Sequence, residues 1–210
     1  MKHAVPGVAV PRLTVYLQCL EDLPAGVSRI SSEDLAARAG VNSAKVRKDL
    51  SYLGSYGVRG VGYDTEHLRF QIRRELGLTH EWPLVIVGAG NLGRALANYD
   101  GFQEQGFRVV GVFDDDPLKV GTWVGSHRVE PLEALAGAVG ERGARIGVIS
   151  TTPDGAQPVA ETLAGAGVAS ILNFSPTVVR VPDHVKVRRV DFSTELQVLA
   201  FHLHQGAAGG

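Results

Sequence analysis

The sequence predicts an α/β protein of two domains: an N-terminal winged helix-turn-helix and a C-terminal doubly wound parallel sheet of the Rossmann type. Residues 84–93 read LVIVGAGNLG, an apolar run of strand length that leads directly into a G-x-G-x-x-G pattern. This pattern begins only at Gly88, and the segment before it contains amphipathic, capped helices of its own. We therefore expect a first domain at residues 1–79 and a sheet domain at residues 80–191.

The bulk composition is that of a globular chain and excludes several classes of protein. Hydrophobic residues make up 44% of the 210 residues and charged residues 20%, which excludes global disorder. No apolar run approaches the roughly 18 residues that a membrane span requires, and the N-terminus lacks the apolar core of a signal peptide. Cys19 is the only cysteine, so no internal disulfide can form. These features favour a cytoplasmic protein without a membrane partner.

Charge is distributed unevenly between the two parts of the chain. Residues 1–80 contain 11 lysines and arginines against 8 acidic residues, whereas residues 81–210 contain 10 against 14. A mildly basic first part and an acidic second part suggest that the two domains have different partners.

The first domain begins with three helical segments. Residues 12–23 carry apolar side chains at helical spacing, which predicts a helix with one buried face. A second helix starts at Ser31 or Ser32, either of which can cap its first N–H groups, and it ends at Gly40. After a tight turn, Asn42 or Ser43 caps a third helix. Two short helices joined by a glycine-containing turn are typical of a helix-turn-helix.

The third helix, residues 44–53, combines an apolar face with a basic and polar remainder. Val46, Leu50 and Leu53 share one face, so basic side chains occupy the surface that can enter a major groove. The glycine-rich residues 55–63 then predict a tight hairpin, which would form a wing. The alternative is a small helical domain whose solvated face is basic, but the order of these elements favours DNA binding. The candidate DNA-contacting residues are Ser31, Ser43, Lys45, Arg47, Lys48, Ser51, Tyr52 and Arg59.

The glycine pattern predicts that a dinucleotide binds where the first strand turns into a helix. A second strand, residues 107–113, ends at Asp114, the usual place for the acid that accepts hydrogen bonds from the adenosine ribose. Asp115 crowds the same position. An acid here repels a 2′-phosphate, which favours NAD(H) over NADP(H), although coenzyme A or an empty sheet remains an alternative. The candidate residues of the glycine loop are Gly88, Ala89, Gly90, Asn91, Leu92 and Gly93.

Further strands and a helix complete the predicted sheet domain. We expect strands at residues 145–150, 170–173 and 185–190, and a helix at residues 157–166. The residues that follow or end these strands join the candidate cofactor site, namely Thr151, Thr152, Pro153 and Asn173.

The sequence gives no catalytic constellation and no metal site. A hydride-transfer enzyme normally has a further domain that holds its substrate and a general acid or base, and little chain remains here for one. The histidines are scattered, and Cys19 lies on an apolar-period helix. We therefore expect a protein that is not an enzyme. The alternative is an NAD-dependent oxidoreductase with an N-terminal accessory domain. A second alternative is a DNA-binding regulator that senses coenzyme A or another nucleotide.

Seven short motifs together identify a resemblance that covers nearly the whole chain. They are ISS at 30–32, VRKDLSYLG at 46–54, GVRGVGY at 57–63, VGAGNLG at 87–93, NYDGF at 98–102, ILNFSP at 171–176 and VDF at 190–192. In this combination the chain resembles the Rex family of redox-sensing transcriptional repressors.

The resemblance implies a homodimer that binds an inverted-repeat operator when free or bound to NAD⁺, and that releases it when NADH binds. It also implies that the last helix, about residues 193–202, swaps into the partner subunit, so that residues 192–210 form a separate C-terminal segment. By the same resemblance, Tyr99 lies near the nicotinamide. Asp191 and Phe192 then belong to the end of the site that spans the dimer.

The sequence departs from the family at one residue of the implied switch. Family members commonly carry arginine at the position aligned with Gln18, where it helps the DNA-binding domain to sense the state of Tyr99 and Asp191. Gln18 can form a hydrogen bond but cannot form an ion pair with Asp191. The resemblance thus names Gln18, Tyr99 and Asp191 as the switch, with changed chemistry at Gln18.

Overall fold

The structure is a computed structural model that describes residues 5–54 and 61–208. It divides into two compact units, Met1–His80 and Glu81–Gly210, each with its own hydrophobic core. Among the described helices, none is both long enough and apolar enough to cross a membrane.

Four helices and a two-stranded antiparallel sheet build the first unit. The helices are α1 Val10–Glu21, α2 Ser32–Ala39, α3 Ser43–Ser51 and α4 Thr65–Glu75, and the strands are β1 Arg29–Ile30 and β2 Tyr63–Asp64. The predicted helix-turn-helix is confirmed as α2 and α3. The sequence did not predict α4, because Leu68 and Ile72 are its only buried apolar residues, and its third large apolar residue, Phe70, is exposed.

Local capping determines where α2 and α3 begin and end. The Ser31 Oγ accepts a hydrogen bond from the Asp34 N–H at 3.0 Å, and the Asn42 Oδ1 accepts one from the Lys45 N–H at 2.8 Å. Gly40 ends α2 with a φ of 64°, a left-handed conformation that favours glycine. Ser31 and Asn42 are therefore the caps among the candidates that the sequence left open.

The apolar face of α3 packs into the core as predicted. Val46, Leu50 and Leu53 are all buried, and they join a cluster with α1, α2 and α4. Their burial leaves the basic side of α3 on the surface, which is what a DNA-reading helix requires.

The predicted wing lies largely outside the described residues. Residues 55–60, including Arg59, are not described, so the hairpin itself stays a prediction. At its far end, Tyr63 pairs with Ile30 across β2 and β1. Gly62 has a φ of 81°, and a Cβ there would lie only 2.5 Å from the Ile30 carbonyl oxygen, so this close approach requires glycine.

A seven-stranded sheet with helices on both faces forms the second unit. The strands are β3 Trp82–Val87, β4 Phe107–Asp114, β5 Trp123–Val124, β6 His127–Pro131, β7 Ile146–Ile149, β8 Ser170–Asn173 and β9 Lys186–Arg189, and the helices are α5 Asn91–Ala97, α6 Asp100–Glu104, α7 Leu135–Glu141, α8 Pro153–Gly165 and α9 Phe192–Ala208. The strand order is β5-β6-β4-β3-β7-β8-β9, with every pair parallel except β5 and β6. This confirms the predicted doubly wound parallel sheet.

Alternate residues of the central strand serve two different cores. Val85 and Val87 pack with α7 and α8, whereas Leu84 and Ile86 pack on the opposite face, to which α5 and α6 contribute. A continuous apolar run is therefore needed in β3, because both of its faces are buried.

All five predicted strands are present, but short elements were missed. The strands β5 and β6, at one end of the sheet, and the helices α6 and α7 were not predicted. β5 has only two residues, and β6 has a single buried residue, Val129. Segments this short carry no period that a sequence pattern can detect. Helix α8 also begins at Pro153, earlier than predicted, because the fixed φ of proline suits the first helical turn.

A buried carboxylate joins the first and third helices. The Arg12 guanidinium donates two hydrogen bonds to Asp49, from Nε at 2.6 Å and from Nη2 at 2.7 Å. The Tyr16 hydroxyl donates a third at 3.0 Å. The Asp49 side chain is only 3% exposed, so its charge depends on these donors. The cluster fixes α3 against α1 through a polar contact rather than through packing alone.

The surroundings of Asp49 shift the pKa values of the cluster in opposite directions. Burial raises the pKa of Asp49, but the hydrogen bonds from Arg12 and Tyr16 and the positive charges of Arg12 and Lys45 outweigh it, so the pKa falls below its ordinary value. Burial and the neighbouring carboxylate raise the pKa of Tyr16 to about 12. Asp49 is therefore ionised, and Tyr16 is neutral, throughout the physiological range of pH.

We predict that Asp49→Asn lowers the free energy of unfolding by about 1–3 kcal/mol at neutral pH, because Arg12 and Tyr16 lose a charged acceptor. The folded pKa of Asp49 lies below its ordinary 3.8, so its contribution is complete above that pH and is lost as the pH falls through the folded pKa. Chemical denaturation at about pH 7 and about pH 3 should show a difference between wild type and variant that shrinks at the lower pH. A difference of equal size at both pH values would contradict the assignment. The exposed ion-pair variant Glu66→Gln is the control, with little expected change.

Candidate functional site

The glycine loop, residues 88–93, leads from the end of β3 into the first turn of α5, and its three motif glycines meet different requirements. Gly88 has a φ of 102°, and a Cβ there would lie 2.6 Å from the Ser150 carbonyl oxygen. A Cβ on Gly93 would overlap the carbonyl oxygen of Gly88, whereas one on Gly90 would meet nothing within 4 Å. Gly88 and Gly93 thus allow the turn and the close approach of α5, and Gly90 leaves its backbone open to a ligand.

The first turn of α5 offers uncommitted hydrogen-bond donors. The helix begins after Gly90 without a side-chain cap. The N–H groups of Asn91, Leu92 and Gly93 have no acceptor within the helix, since the first turn of any helix lacks them. These N–H groups can donate hydrogen bonds to the negatively charged oxygens of a diphosphate next to the open side of Gly90.

A cavity of about 480 Å³ lies beside the glycine loop, where β3, β4 and β7 end. The carboxyl ends of parallel strands are the usual ligand site of such a sheet. The hydroxyl of Thr151 is buried here with no hydrogen-bond partner, so it can form a hydrogen bond with a ligand in the cavity. The cavity brings together six predicted residues: Gly88, Gly90, Asp114, Asp115, Thr151 and Thr152.

Asp114 is committed to the protein rather than open to a ligand. Its side chain is 4% exposed, and its Oδ2 accepts a hydrogen bond from the Ala89 N–H at 2.6 Å. Its Oδ1 accepts one from the Asp116 N–H at 2.9 Å, and the Lys119 Nζ lies 3.2 Å from the carboxylate. Burial raises the pKa of Asp114, but these donors outweigh it and hold the pKa below its ordinary value. Asp114 therefore holds the glycine loop against the end of β4.

Asp115 is an exposed carboxylate next to the same cavity, at the end of β4, and Asp154 in the first turn of α8 is another. Lys119 also lines the cavity, and the sequence analysis missed it because nothing marks a lysine five residues beyond the end of a strand. Asp154 and Ser150 were missed in the same way. For Ser150 the sequence did offer a signal, namely its position at the end of a predicted strand. In the structure its hydroxyl donates to the carbonyl oxygen of Gly88 at 2.9 Å.

The end of β8 contributes a compact polar loop. The Asn173 amide donates to the Thr177 carbonyl oxygen at 2.8 Å, and its own oxygen accepts the Ser175 N–H at 2.9 Å. Asn173 is 1% exposed and both its groups serve the loop, so it shapes this edge of the sheet. Ser175, which the sequence analysis missed, is buried with no partner for its hydroxyl. Pro153 begins α8 on the neighbouring strand end.

The residues that the resemblance places at the nicotinamide do not line the glycine-loop cavity. Tyr99 follows the C-terminal end of α5, is 60% exposed, and lines a separate cavity of about 370 Å³. Asp191 accepts hydrogen bonds from Arg189 at 2.7 Å and from the Ser193 N–H at 3.0 Å. Phe192 is 61% exposed, with its ring 6.0 Å from that of Phe174. Their role in the switch stays a prediction, as does that of the exposed Gln18.

The surface of α3 in the first unit presents basic and polar side chains. Lys45 and Lys48 are exposed, and Ser43 is half-buried in the first turn. The Ser51 hydroxyl donates to the Lys48 carbonyl oxygen at 2.6 Å, and Tyr52 caps the C-terminal end of the helix. This surface can meet phosphates and base edges in a major groove.

Arg47 and Ser31 already have partners within the protein. Arg47 donates to the Glu33 carboxylate at 2.9 Å and to the Ser32 hydroxyl at 3.0 Å. Ser31 caps α2 and donates to the Asp34 carboxylate at 2.8 Å.

Across residues 5–54 and 61–208, no group of three or more histidine, cysteine or acidic residues could hold a metal ion.

Comparison with known families matches each unit to a different model. Residues 4–51 match the family described as putative DNA-binding protein N-terminus. Residues 79–177 match the family described as CoA binding domain. The two matches agree with the helix-turn-helix and with the nucleotide-binding type of sheet.

Relatives extend the similarity over nearly the whole chain. The redox-sensing transcriptional repressor Rex of Streptomyces avermitilis is 57% identical over 201 residues, which cover 95% of this chain and 80% of that relative. The crystal structure of RSP in complex with β-NAD⁺ and operator DNA superposes with a TM-score of 0.90 at 34% identity, over 99% of this chain and 96% of that one. The structure of RSP with β-NADH gives the same TM-score of 0.90 at 33% identity, over 99% and 98%.

Identity of this extent, together with the shared fold of both units, establishes the family. The members are transcriptional repressors, and RSP itself is described as a Rex-family repressor. This chain belongs to the Rex family of redox-sensing transcriptional repressors.

Proposed function

We propose that this chain represses transcription from operator DNA and senses the ratio of NADH to NAD⁺. It binds an inverted-repeat operator when free or bound to NAD⁺ and releases the operator when NADH binds. The observation that carries the proposal is that one chain combines the exposed basic surface of α3 with a glycine loop whose Gly90 opens on a cavity. RSP, its structural relative, was crystallised with both operator DNA and β-NAD⁺. We also propose that the protein is cytoplasmic, because it has to reach operator DNA.

The cavity suits NAD(H) better than a nucleotide with a further phosphate. The glycine loop and the first turn of α5 would bind the diphosphate, and the unpartnered Thr151 hydroxyl offers a further hydrogen bond. The exposed Asp115 would accept hydrogen bonds from the hydroxyl groups of the adenosine ribose. A carboxylate at that position repels the 2′-phosphate of NADP(H) and the 3′-phosphate of coenzyme A. This disfavours coenzyme A, despite the name of the matching family.

The two oxidation states must be distinguished away from the glycine loop. NAD⁺ and NADH carry the same diphosphate, so the loop binds both alike, and equal affinity shifts no equilibrium. Neutral dihydronicotinamide favours an apolar wall such as Phe192, whereas the cationic ring favours a carboxylate such as Asp191. NADH would therefore close the dimer and change the spacing of the two α3 helices, and two half-sites tolerate little change in spacing.

The direct test is an anisotropy titration on an inverted-repeat duplex that the protein itself selects from a randomised library. NADH should release the duplex and NAD⁺ should not. Saturating operator should weaken NADH binding by the same factor by which NADH weakens operator binding, because binding linkage is reciprocal. The variant Gly90→Val should still bind the duplex but no longer respond, because its side chain occupies the path of the diphosphate. Release by both nucleotides, or by neither, would overturn the proposal.

The proposed roles of the two neighbouring aspartates differ, and their variants should separate. We expect Asp115→Asn to raise NADPH affinity relative to NADH by about tenfold, about 1.4 kcal/mol, because the repulsion is removed. Asp114→Asn should instead weaken NADH and NADPH by similar factors and lower thermal stability, because the glycine loop loses its charged acceptor. Calorimetric titration of both nucleotides measures this. If only Asp114→Asn relaxes the discrimination between NADH and NADPH, the residue that binds the ribose is Asp114 and not Asp115.

The proposed homodimer rests on an apolar helix and an apolar hollow that the described structure leaves uncovered. On α9, Phe192, Leu196, Leu199 and Leu203 recur at helical spacing and are 59–75% exposed. On the sheet face that carries α5 and α6, a hollow of about 270 Å³ is lined almost entirely by apolar atoms. Exposed apolar surfaces of this size mark interaction sites. A second copy whose α9 swaps across would cover both.

A charge on the apolar stripe of α9 should break the dimer. The double variant Leu196→Glu/Leu199→Glu should sediment as a monomer where the wild type sediments as a dimer, since burying two carboxylates is unfavourable. Gln205→Glu places a charge on the opposite side of the same helix and should leave the dimer intact. A dimer in both variants would exclude α9 from the interface.

A further inference from the structure

Arg47 of α3 belongs to a closed network with the start of α2. Its Nη1 donates to the Glu33 Oε1 at 2.9 Å and to the Ser32 Oγ at 3.0 Å, and the Ser32 Oγ donates to the Glu33 Oε2 at 3.1 Å. Ser32 is only 8% exposed, whereas the side chains of Arg47 and Glu33 are 52% and 66% exposed. A buried hydroxyl thus anchors an ion pair that itself faces outward.

The network makes Arg47 different from the lysines of the same helix. Lys45 and Lys48 are exposed and form no ion pair with any residue in the described ranges, whereas Arg47 carries its own counter-charge. The hydrogen bonds of Glu33, first with its own backbone N–H and then with Ser32 and Arg47, lower its pKa, so the counter-charge persists at neutral pH. Arg47 and Glu33 together contribute no net charge to the surface.

The charges of the pair also act on Tyr63 in β2, the strand that follows the predicted wing. Burial raises the pKa of Tyr63, while the charge of Arg47 lowers it and the charge of Glu33 raises it. The ion pair itself joins α3 to the start of α2, the two helices of the helix-turn-helix.

We propose that Glu33 is a specificity-determining residue of the DNA interface, which acts by holding Arg47. The ion pair fixes the guanidinium in one orientation for a base edge and withholds its charge from the phosphate backbone. The inference rests on the proposed function of α3 as the DNA-reading helix.

The physical reason is that DNA of any sequence and the operator are bound by different kinds of contact. Binding to any sequence comes from cations that neutralise phosphates and release counter-ions, so a cation with an internal partner contributes little. Recognition of a base needs a rigid fork of donors, and the Nε and Nη2 of Arg47 stay free for this when Nη1 is held. Glu33 would thus lower affinity for wrong sequences more than for the operator, which is how specificity arises.

The experiment compares Glu33→Gln with Glu66→Gln on two duplexes, measured by anisotropy over a range of salt concentrations. One duplex is the operator that the wild type selects from a randomised library, and the other has the same bases in scrambled order. Glutamine keeps the shape of Glu33 but carries no charge, and its single amide oxygen can replace only one of the two carboxylate acceptors that Arg47 and Ser32 use. Glu66 is the matched control, because it pairs with Arg69 within α4 and loses the same charge. Thermal melting checks that each variant is folded.

We expect Glu33→Gln to bind the scrambled duplex about three- to tenfold more tightly, with a salt slope steeper by about 0.9, the value of one added phosphate contact. Its affinity for the operator should change less, so the specificity ratio falls. Glu66→Gln should leave the ratio unchanged. Adding Arg47→Ala to Glu33→Gln should remove the gain on scrambled DNA.

The outcomes separate this inference from the function on which it rests. If the wild type binds both duplexes equally, or neither, the proposed function fails. If the wild type discriminates but Glu33→Gln keeps the wild-type ratio, the role of Glu33 alone is refuted. An equal loss of specificity in Glu66→Gln, or a gain that survives Arg47→Ala, also refutes it, because the effect would then be general electrostatics rather than release of Arg47.

Discussion

The hydrogen bond from the Ala89 N–H to the buried Asp114 carboxylate is the contact on which the nucleotide-binding half of the molecule depends. It ties the turn that leaves β3 to the end of β4 at 2.6 Å, and the Gly88 N–H donates to the Phe113 carbonyl oxygen beside it at 2.8 Å. The N–H groups of Asp116 and Ala89, together with the charge of Lys119, hold the pKa of Asp114 below its ordinary value and so keep it ionised. Because the loop is fixed from the side of β4, a diphosphate would meet donors already in place, and little ordering opposes binding.

The sequence predicted the features that local chemistry specifies. Ser31 and the turn glycines could be predicted, because a helix cap uses a side-chain oxygen and a turn with a positive φ favours glycine. The role of Asp114 could not be predicted, because spacing places an acid at a strand end without telling whether its side chain turns inward or toward a ligand. Helix α4 and the strands β5 and β6 were not predicted for another reason. Their few buried residues are defined by contacts distant in sequence, which no local period reveals.

The proposed sensor therefore separates holding the nucleotide from reading it. Contacts to the diphosphate contribute equally to NAD⁺ and NADH, so they raise affinity without biasing any state. The bias has to arise at the nicotinamide, and in one chain the residues proposed for that end do not form a closed pocket: Phe192 is 61% exposed, and Asp191 is already bound by Arg189 and Ser193. A pocket completed by a second copy, as proposed, would make the redox state of the ring a property of the dimer, which would also be the unit that spans two half-sites.

The DNA-binding half limits how useful such a switch can be. A coupling free energy of about 1–3 kcal/mol changes operator affinity only about 5- to 150-fold. In a cell the operator competes with roughly 10⁶–10⁹ other sites, so a repressor with high affinity for any DNA would answer slowly and incompletely to a change of that size. An arginine held by its own glutamate reduces this background without adding contacts at the operator. On this reasoning, two features act on the difference in affinity between the operator and other DNA. The ion pair of Arg47 and Glu33 increases this difference, and the nicotinamide pocket reduces it when NADH binds.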